Sequence, residues 1–272
     1  MTNVDSQALL DLRDLIEKTT GIYYLDSSLP LLRDRLGARI SALRLKDLVD
    51  YYYYLKWDPR RQGEWESLLA YLTVNETHFW RESDALEWAL EKIRSAAREG
   101  RRCKVWHAAC SSGEEPYSLA MAAMNDGLVP WVDFELIASD LDPQILSHAL
   151  QARYSPHSLR NLPEAMRERY ILEGEKSSLL SPEVRAAVRF FRLNLHETKV
   201  PWPQDMDLIF CRNVFIYFRP STVQQIAHRF SRSLKSRGHL LLGAAESLLQ
   251  LETPFEFLSQ NGVIIYRNED RS

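Results

Sequence analysis

Glycine-rich phosphate loops, cysteine pairs, long apolar runs and an excess of either charge are all missing from this chain, and each absence removes a class of function. Neither GxGxxG nor GxxxxGK(S/T) occurs, which counts against NAD and ATP as ligands. The three cysteines, Cys103, Cys110 and Cys211, are odd in number and lack metal-ligand spacing. They read as free thiols of a reducing compartment, and no metal site is expected. No apolar stretch approaches the ~20 residues of a membrane span. The start, MTNVDSQALLDLRDL, is acidic and amphipathic, unlike the basic and apolar start of a signal peptide. A cytoplasmic protein without membrane insertion is expected. The net charge of -3 exerts no global attraction on nucleic acid or anionic lipid, so such a partner would need a local patch.

What remains is an ordinary globular composition, 45% hydrophobic and 26% charged, in 272 residues, enough for one large domain or two smaller ones. Residues 1–70 read as helices only. QALLDLRDLIEKTTGIYY and PLLRDRLGARISALRL carry apolar residues at helical spacing. DLVDYYYYLKW and EWESLLAYLTV follow, separated by a DPRRQG turn. The run Tyr51 to Tyr54 reads as helical packing, with an exposed stacking surface as the alternative. Residues 71–82 then form a linker to a second domain at 83–272. In that domain strand-like runs (CKVWHAAC, FELIASD, VRFFRLNL, MDLIFCRN, HLLLGAAES) alternate with helical ones at 114–127, 143–151 and 220–236. This alternation predicts an α/β fold with a doubly wound, mostly parallel sheet. FEFLSQNGVIIYR closes it as a hairpin turning at Asn261-Gly262. Residues 153–187, broken by Pro156, Pro163, Gly174 and Pro182, are either an insertion at the sheet edge or a solvated connector.

In an open parallel sheet the ligand lies at the carboxyl ends of the strands. Four stretches fall there: AACSSGEEP after the first strand, Asp140 after the second, Asn194 after the third and IFCRNVFIYF at the fourth. Asp140 can accept from both ribose hydroxyls, and the Asn194 amide can read an adenine edge. Together they outline a nucleoside pocket without a phosphate cradle. S-adenosylmethionine matches that outline: it has adenine and ribose, no phosphate, and a cationic end that carboxylates attract. Glu114 and Glu115 supply such carboxylates, although acidic residues also stabilise a first helical turn by themselves. Adjacent helix positions point about 100° apart, so the two have different jobs. VNETHFWRES, between the domains, sets Asn75, Thr77 and Arg81 among Phe79 and Trp80 and reads as an anchored hinge.

NETHFWRE, AACSSGEEPYSLA, ASDLDPQIL and IFCRNVFIYF resemble the motifs of the CheR chemotaxis receptor methyltransferases, over about residues 10 to 268. The resemblance implies a Rossmann-like S-adenosylmethionine-dependent methyltransferase sheet, an N-terminal all-helical domain and a small inserted β-subdomain at about residues 171–190. It implies S-adenosyl-L-methionine as cofactor and S-adenosyl-L-homocysteine as product. By similarity, Asn75, Thr77 and Arg81 reach the cofactor from the interdomain segment. Glu115 serves its methionine end and Asp140 its ribose. Asn194 and Leu195 flank the adenine, while Cys211 and Arg212 line the same cleft. Arg81 and Tyr217 are the pair beside the reacting methyl group.

The implied substrates are glutamates of a methyl-accepting chemoreceptor signalling domain. A glutamate is already an anion at neutral pH and needs no general base. This agrees with motifs whose only histidines are His78 and His107, the latter a core or supporting residue within a strand. Family members meet the acidic receptor helices with a basic helix. Here Arg35, Arg39 and Lys46, within the basic stretch from Arg33 to Lys46, would form the docking stripe on a helical projection. The region 170–194 is a few residues shorter than the enterobacterial pattern, so no tether to a receptor's C-terminal pentapeptide is expected. A monomer associating with receptor arrays, without nucleic acid, completes the expectation. The alternatives are a methyltransferase of another substrate and a non-catalytic, cofactor-binding scaffold.

Overall fold

The computed structural model describes residues 3–73, 76–260 and 262–269. The chain divides into two compact units, one of Met1–Asn75 with Tyr217–Thr222 and one of Glu76–Ile216 with Val223–Ser272. Among the described residues no helix is long and apolar enough to cross a membrane.

The first unit packs four helices, α1 (Asn3–Thr20), α2 (Leu29–Leu43), α3 (Leu48–Trp57) and α4 (Arg61–Leu72). Leu12, Ile16, Leu32, Leu36, Tyr51, Leu55 and Leu68 fill its core. Asp47 starts α3 by accepting the backbone N–H groups of Val49 and Asp50, as an N-cap should. The tyrosine run splits by helix face. Tyr51 is buried and its hydroxyl donates to Glu64 at 2.6 Å. Tyr53 is exposed and stacks on Trp57, with ring centroids 5.1 Å apart. Residues 217–222 belong to this unit. The carbonyl of Tyr217 accepts the N–H of Tyr23 at 2.8 Å, and its ring packs against the helical core. Arg219 pairs with Glu17 at 2.5 Å and covers the Tyr23 ring.

The expected docking stripe needs correction here. α2 stops at Leu43 because Arg44 turns left-handed (φ 58°), so Lys46 does not continue the projection that carries Arg35 and Arg39. Arg39 makes a bidentate pair with the buried Glu64, at 2.9 and 2.7 Å. Arg35 donates to the Tyr24 hydroxyl at 2.7 Å and to the Leu72 carbonyl at 2.9 Å. Both arginines hold helices together, and Lys46 is exposed.

The second unit opens with α5 (Ser83–Arg98) and β1 (Cys103–Ala108), followed by α6 (Glu114–Asn125), β2 (Phe134–Asp140) and α7 (Pro143–Gln151). Next come β3 (Arg153–Tyr154), α8 (Glu164–Tyr170), β4 (Ile171–Leu172), β5 (Ser178–Leu180) and α9 (Pro182–Ala186). β6 (Val188–Arg192), β7 (Met206–Cys211), α10 (Pro220–Ser233, in this unit from Val223 on), β8 (Leu234–Leu242), β9 (Phe255–Gln260) and β10 (Val263–Asn268) complete it. The main sheet runs β6-β2-β1-β7-β8-β10-β9. Its first five strands are parallel, and β10 is antiparallel to β8 and β9. Asn261 lies outside the described residues; Gly262 beside it is left-handed (φ 80°). β1 and β7 are almost wholly buried, as strands covered on both faces must be. Strand order reverses between β1 and β7, so the crevice used by such folds opens at the loops following those two strands. β3, β5 and β4 form a separate antiparallel sheet. This small subdomain begins at Arg153, before the expected 171–190, whereas residues 188–192 belong to the main sheet.

Candidate active site

Every site residue in this subsection belongs to the second unit unless noted. The loop from β1 to α6 carries Ala109, Ser111 and Gly113 at positive φ (61°, 51° and 90°). Glycine suits position 113: a Cβ there would meet Ala149 at 3.1 Å and Phe190 at 3.2 Å, tight contacts that the neighbours would have to relieve, and would adopt a φ that L residues avoid. A turn of this kind can aim backbone N–H groups at a phosphate. Here the N–H of Ser111 donates instead to the carboxylate of Asp140, at 2.8 Å. The other Asp140 oxygen accepts the N–H of Asp142 at 3.0 Å. Burial nevertheless dominates and pushes the Asp140 carboxyl up to about 6.

The corner is acidic, but neither glutamate is bare. Glu114 is buried and accepts the hydroxyls of Ser112 (2.6 Å) and Ser158 (2.8 Å), which fastens the loop to the segment before α8. Burial raises its pKa. Glu115 faces charged partners. One oxygen accepts from Arg212 at 2.6 Å and the other lies 2.9 Å from His107 Nδ1. Burial opposes its ionisation, yet the Arg212 charge and the His107 hydrogen bond outweigh that and hold the carboxyl near 2. Arg212 also pairs with Glu82. Two carboxylates therefore share one guanidinium, and the cluster suits a ligand that brings positive charge.

Asn194 sits beside Asp140, because the N–H of Leu193 donates to the Asp140 carbonyl at 2.9 Å. Its amide oxygen accepts the N–H of His196 at 2.9 Å and so closes the turn after β6; Leu195 is buried next to it. Cys211 is fully buried and its thiol is pushed well above its ordinary pKa by burial, so it packs as a small neutral side chain. No group of side chains among the described residues could hold a metal ion.

The segment after the first unit is anchored, as its aromatics suggested. Phe79 is buried against Tyr154 with ring centroids 4.7 Å apart, and its N–H donates to the Ser158 carbonyl at 3.0 Å. The N–H of Trp80 donates to Ser118, whose hydroxyl bonds the Glu114 carbonyl. Trp80 and Glu82 are both left-handed (φ 61° and 49°), strain that marks functional segments more often than plain connectors. Arg81 folds back to donate to the Glu76 carbonyl at 2.8 Å, and Thr77 lies half-buried in the same stretch. Asn75 lies outside the described residues, and Tyr217 belongs to the first unit.

Sequence reasoning passes over Glu82, Ser111 and Glu246. Glu246 is buried and accepts four backbone N–H groups, those of Asn213, Val214, Phe215 and Gly243, all within 2.7–2.8 Å. It clamps the turn that follows Arg212. An isolated acid after an apolar strand carries no spacing signal that could have revealed this. The donor and acceptor set also has unspent capacity. The Ser111 hydroxyl and Arg212 Nε are buried without a hydrogen-bond partner among the described residues. Donors and carboxylates so placed fit a nucleoside with a cationic, carboxylate-bearing end.

The sequence profile described as "CheR methyltransferase, SAM binding domain" matches residues 75–264, and that described as "CheR methyltransferase, all-alpha domain" matches residues 7–73. The chain is 34% identical over 249 residues to chemotaxis protein methyltransferase 2 of Vibrio cholerae, covering 89% of this chain and 86% of that one. It is 35% identical over 251 residues to the chemotaxis protein methyltransferase of Escherichia coli, covering 90% and 86%. A solved magnesium protoporphyrin IX methyltransferase from Synechocystis, with bound SAM, overlays with a TM-score of 0.41 at 12% identity, over 80% of this chain and 94% of that one. With two family profiles spanning nearly all of its length, this protein belongs to the CheR methyltransferase family and is an S-adenosylmethionine-dependent methyltransferase.

Proposed function

We propose that the protein esterifies glutamate side chains of chemoreceptor signalling domains, acting as a cytoplasmic monomer at receptor arrays. The observation that carries this reading is the Glu115–Arg212–Glu82 cluster beside the Asp140 loop, which suits a nucleoside with a cationic end. S-adenosylmethionine supplies an electrophilic methyl group, and a glutamate carboxylate accepts it without prior loss of a proton. The protein's work is then alignment, which can supply about 7–11 kcal/mol. Glu115 holds the methionine end, with Arg212 fixing its position. Asp140 takes the ribose hydroxyls, Asn194 and Leu195 flank the adenine, and Cys211 contributes wall. Asn75, Thr77 and Arg81 complete the cofactor contacts. Arg81 orients the incoming carboxylate. Positioning matters more than charge at Arg81, because a tight ground-state ion pair would slow the transfer.

Lys46 remains a docking cation for acidic receptor helices, whereas Arg35 and Arg39 support the helices behind it. Incubation with labelled S-adenosylmethionine and receptor signalling domains tests the reaction. Label released as methanol by mild base marks a carboxyl ester; base-stable label would point to another acceptor, and no transfer would point to a scaffold. Arg81→Ala with near-normal turnover would remove Arg81 from the reacting centre.

A further inference from the structure

His107 lies within β1, fully buried, with its ring stacked on Phe210 at 4.5 Å between centroids and 19° between planes. Its Nδ1 is 2.9 Å from one Glu115 oxygen, while Arg212 takes the other at 2.6 Å. An ionised carboxylate only accepts hydrogen bonds, so the proton of the first contact sits on Nδ1. Nε2 has no partner among the described residues. A buried polar atom left unsatisfied disfavours folding, and phenylalanine would fill this place against Phe210 without that penalty. The imidazole's distinct contribution is therefore its Nδ1–H.

That N–H does something Arg212 alone does not. The terminal torsion of a glutamate is broad and roughly two-fold, so one partner on one oxygen leaves the carboxylate plane free to rock. A second donor, from a different strand and on the other oxygen, fixes the plane. Each oxygen keeps a lone pair for a ligand. We propose that His107 is a positioning residue that locks the Glu115 carboxylate in one orientation for the cofactor's cationic end, without touching the cofactor. The proposal rests on the reading of Glu115 as a cofactor contact.

Calorimetric titration with S-adenosylhomocysteine tests it on the wild type, His107→Phe, His107→Asn and Glu115→Gln, with folding monitored by thermal melting. His107→Phe should lose about tenfold or more in affinity, as expected for a hydrogen bond to a charged group. His107→Asn, whose amide N–H stands where Nδ1–H stood, should recover most of it. In the Glu115→Gln background His107→Phe should add little. The ¹⁵N shifts of the His107 imidazole in the ligand-free protein should report a proton on Nδ1. Binding by folded His107→Phe within twofold of wild type, an asparagine variant as weak as phenylalanine, or an Nε2–H tautomer would each overturn the proposal. Unchanged affinity in Glu115→Gln would instead remove the reading of Glu115, while a loss there with none in His107→Phe removes the role of His107 alone. Should His107→Phe not fold, the asparagine variant and the imidazole shifts still decide.

Discussion

Burial alone would raise the pKa of both Asp140 and Glu115, but the Arg212 guanidinium sits against Glu115. Glu115 is therefore held near 2, whereas Asp140 rises to about 6 despite the backbone hydrogen bonds it accepts. The consequences for pH have opposite signs. The depressed Glu115 stabilises the fold above its unfolded pKa near 4.5, and that contribution fades as pH falls toward 2. The raised Asp140 opposes folding above pH 6, and that penalty lessens as pH falls from about 6 toward 3.8. With Asp140 as the proposed ribose ligand, its charged form accepts the hydroxyls more strongly, so affinity for S-adenosylhomocysteine should rise with pH through about 6. In Asp140→Asn that rise should vanish along with about tenfold of the affinity at pH 8. Calorimetry across pH 5 to 8 reads both; a slope retained in Asp140→Asn would assign the titration to another group. Asp140 was legible at the end of FELIASD, but its raised pKa was not, since burial belongs to the assembled sheet.

At the scale of single elements, the turns decide the site. IFCRNV reads as a strand ending at the crevice, yet the turn keeps its shape because Glu246, more than thirty residues on, accepts its N–H groups. Glu246→Ala leaves four donors to be satisfied otherwise and should destabilise the protein by roughly 3 kcal/mol or more. Denaturant melts measure this, and a loss below about 1 kcal/mol would mean that water replaces the clamp. The FWRES stretch shows the same limit from another side. Its aromatics announced anchoring, and Phe79 does anchor on Tyr154. The left-handed turns at Trp80 and Glu82 had no glycine to announce them. Helix α2 ended early for the same reason, at Arg44.

For the whole molecule, charge on the helical unit has to be divided between holding the fold and meeting a partner. Arg39→Glu would bury a second acid against Glu64 and should cost about 3–5 kcal/mol of stability. Lys46→Glu should leave stability within about 0.5 kcal/mol while raising the KM for receptor domains at low salt. Melting curves and salt-dependent kinetics separate the two, and a Lys46→Glu KM equal to wild type would move docking elsewhere. The sequence by itself determined the helical unit, the alternating α/β unit and the acidic, glycine-poor loop, because periodicity, turn chemistry and motif spacing are local. It also put Glu115, Asp140 and Asn194 at strand ends, where the topology of a parallel sheet needs them. Only the tertiary structure decided that Arg212 neutralises Glu115, that Asp140 fills the turn a phosphate could have used, and that Arg39 is spent on Glu64. Those outcomes depend on which charges share a buried space, and side chains distant in sequence come to share one only when the chain folds.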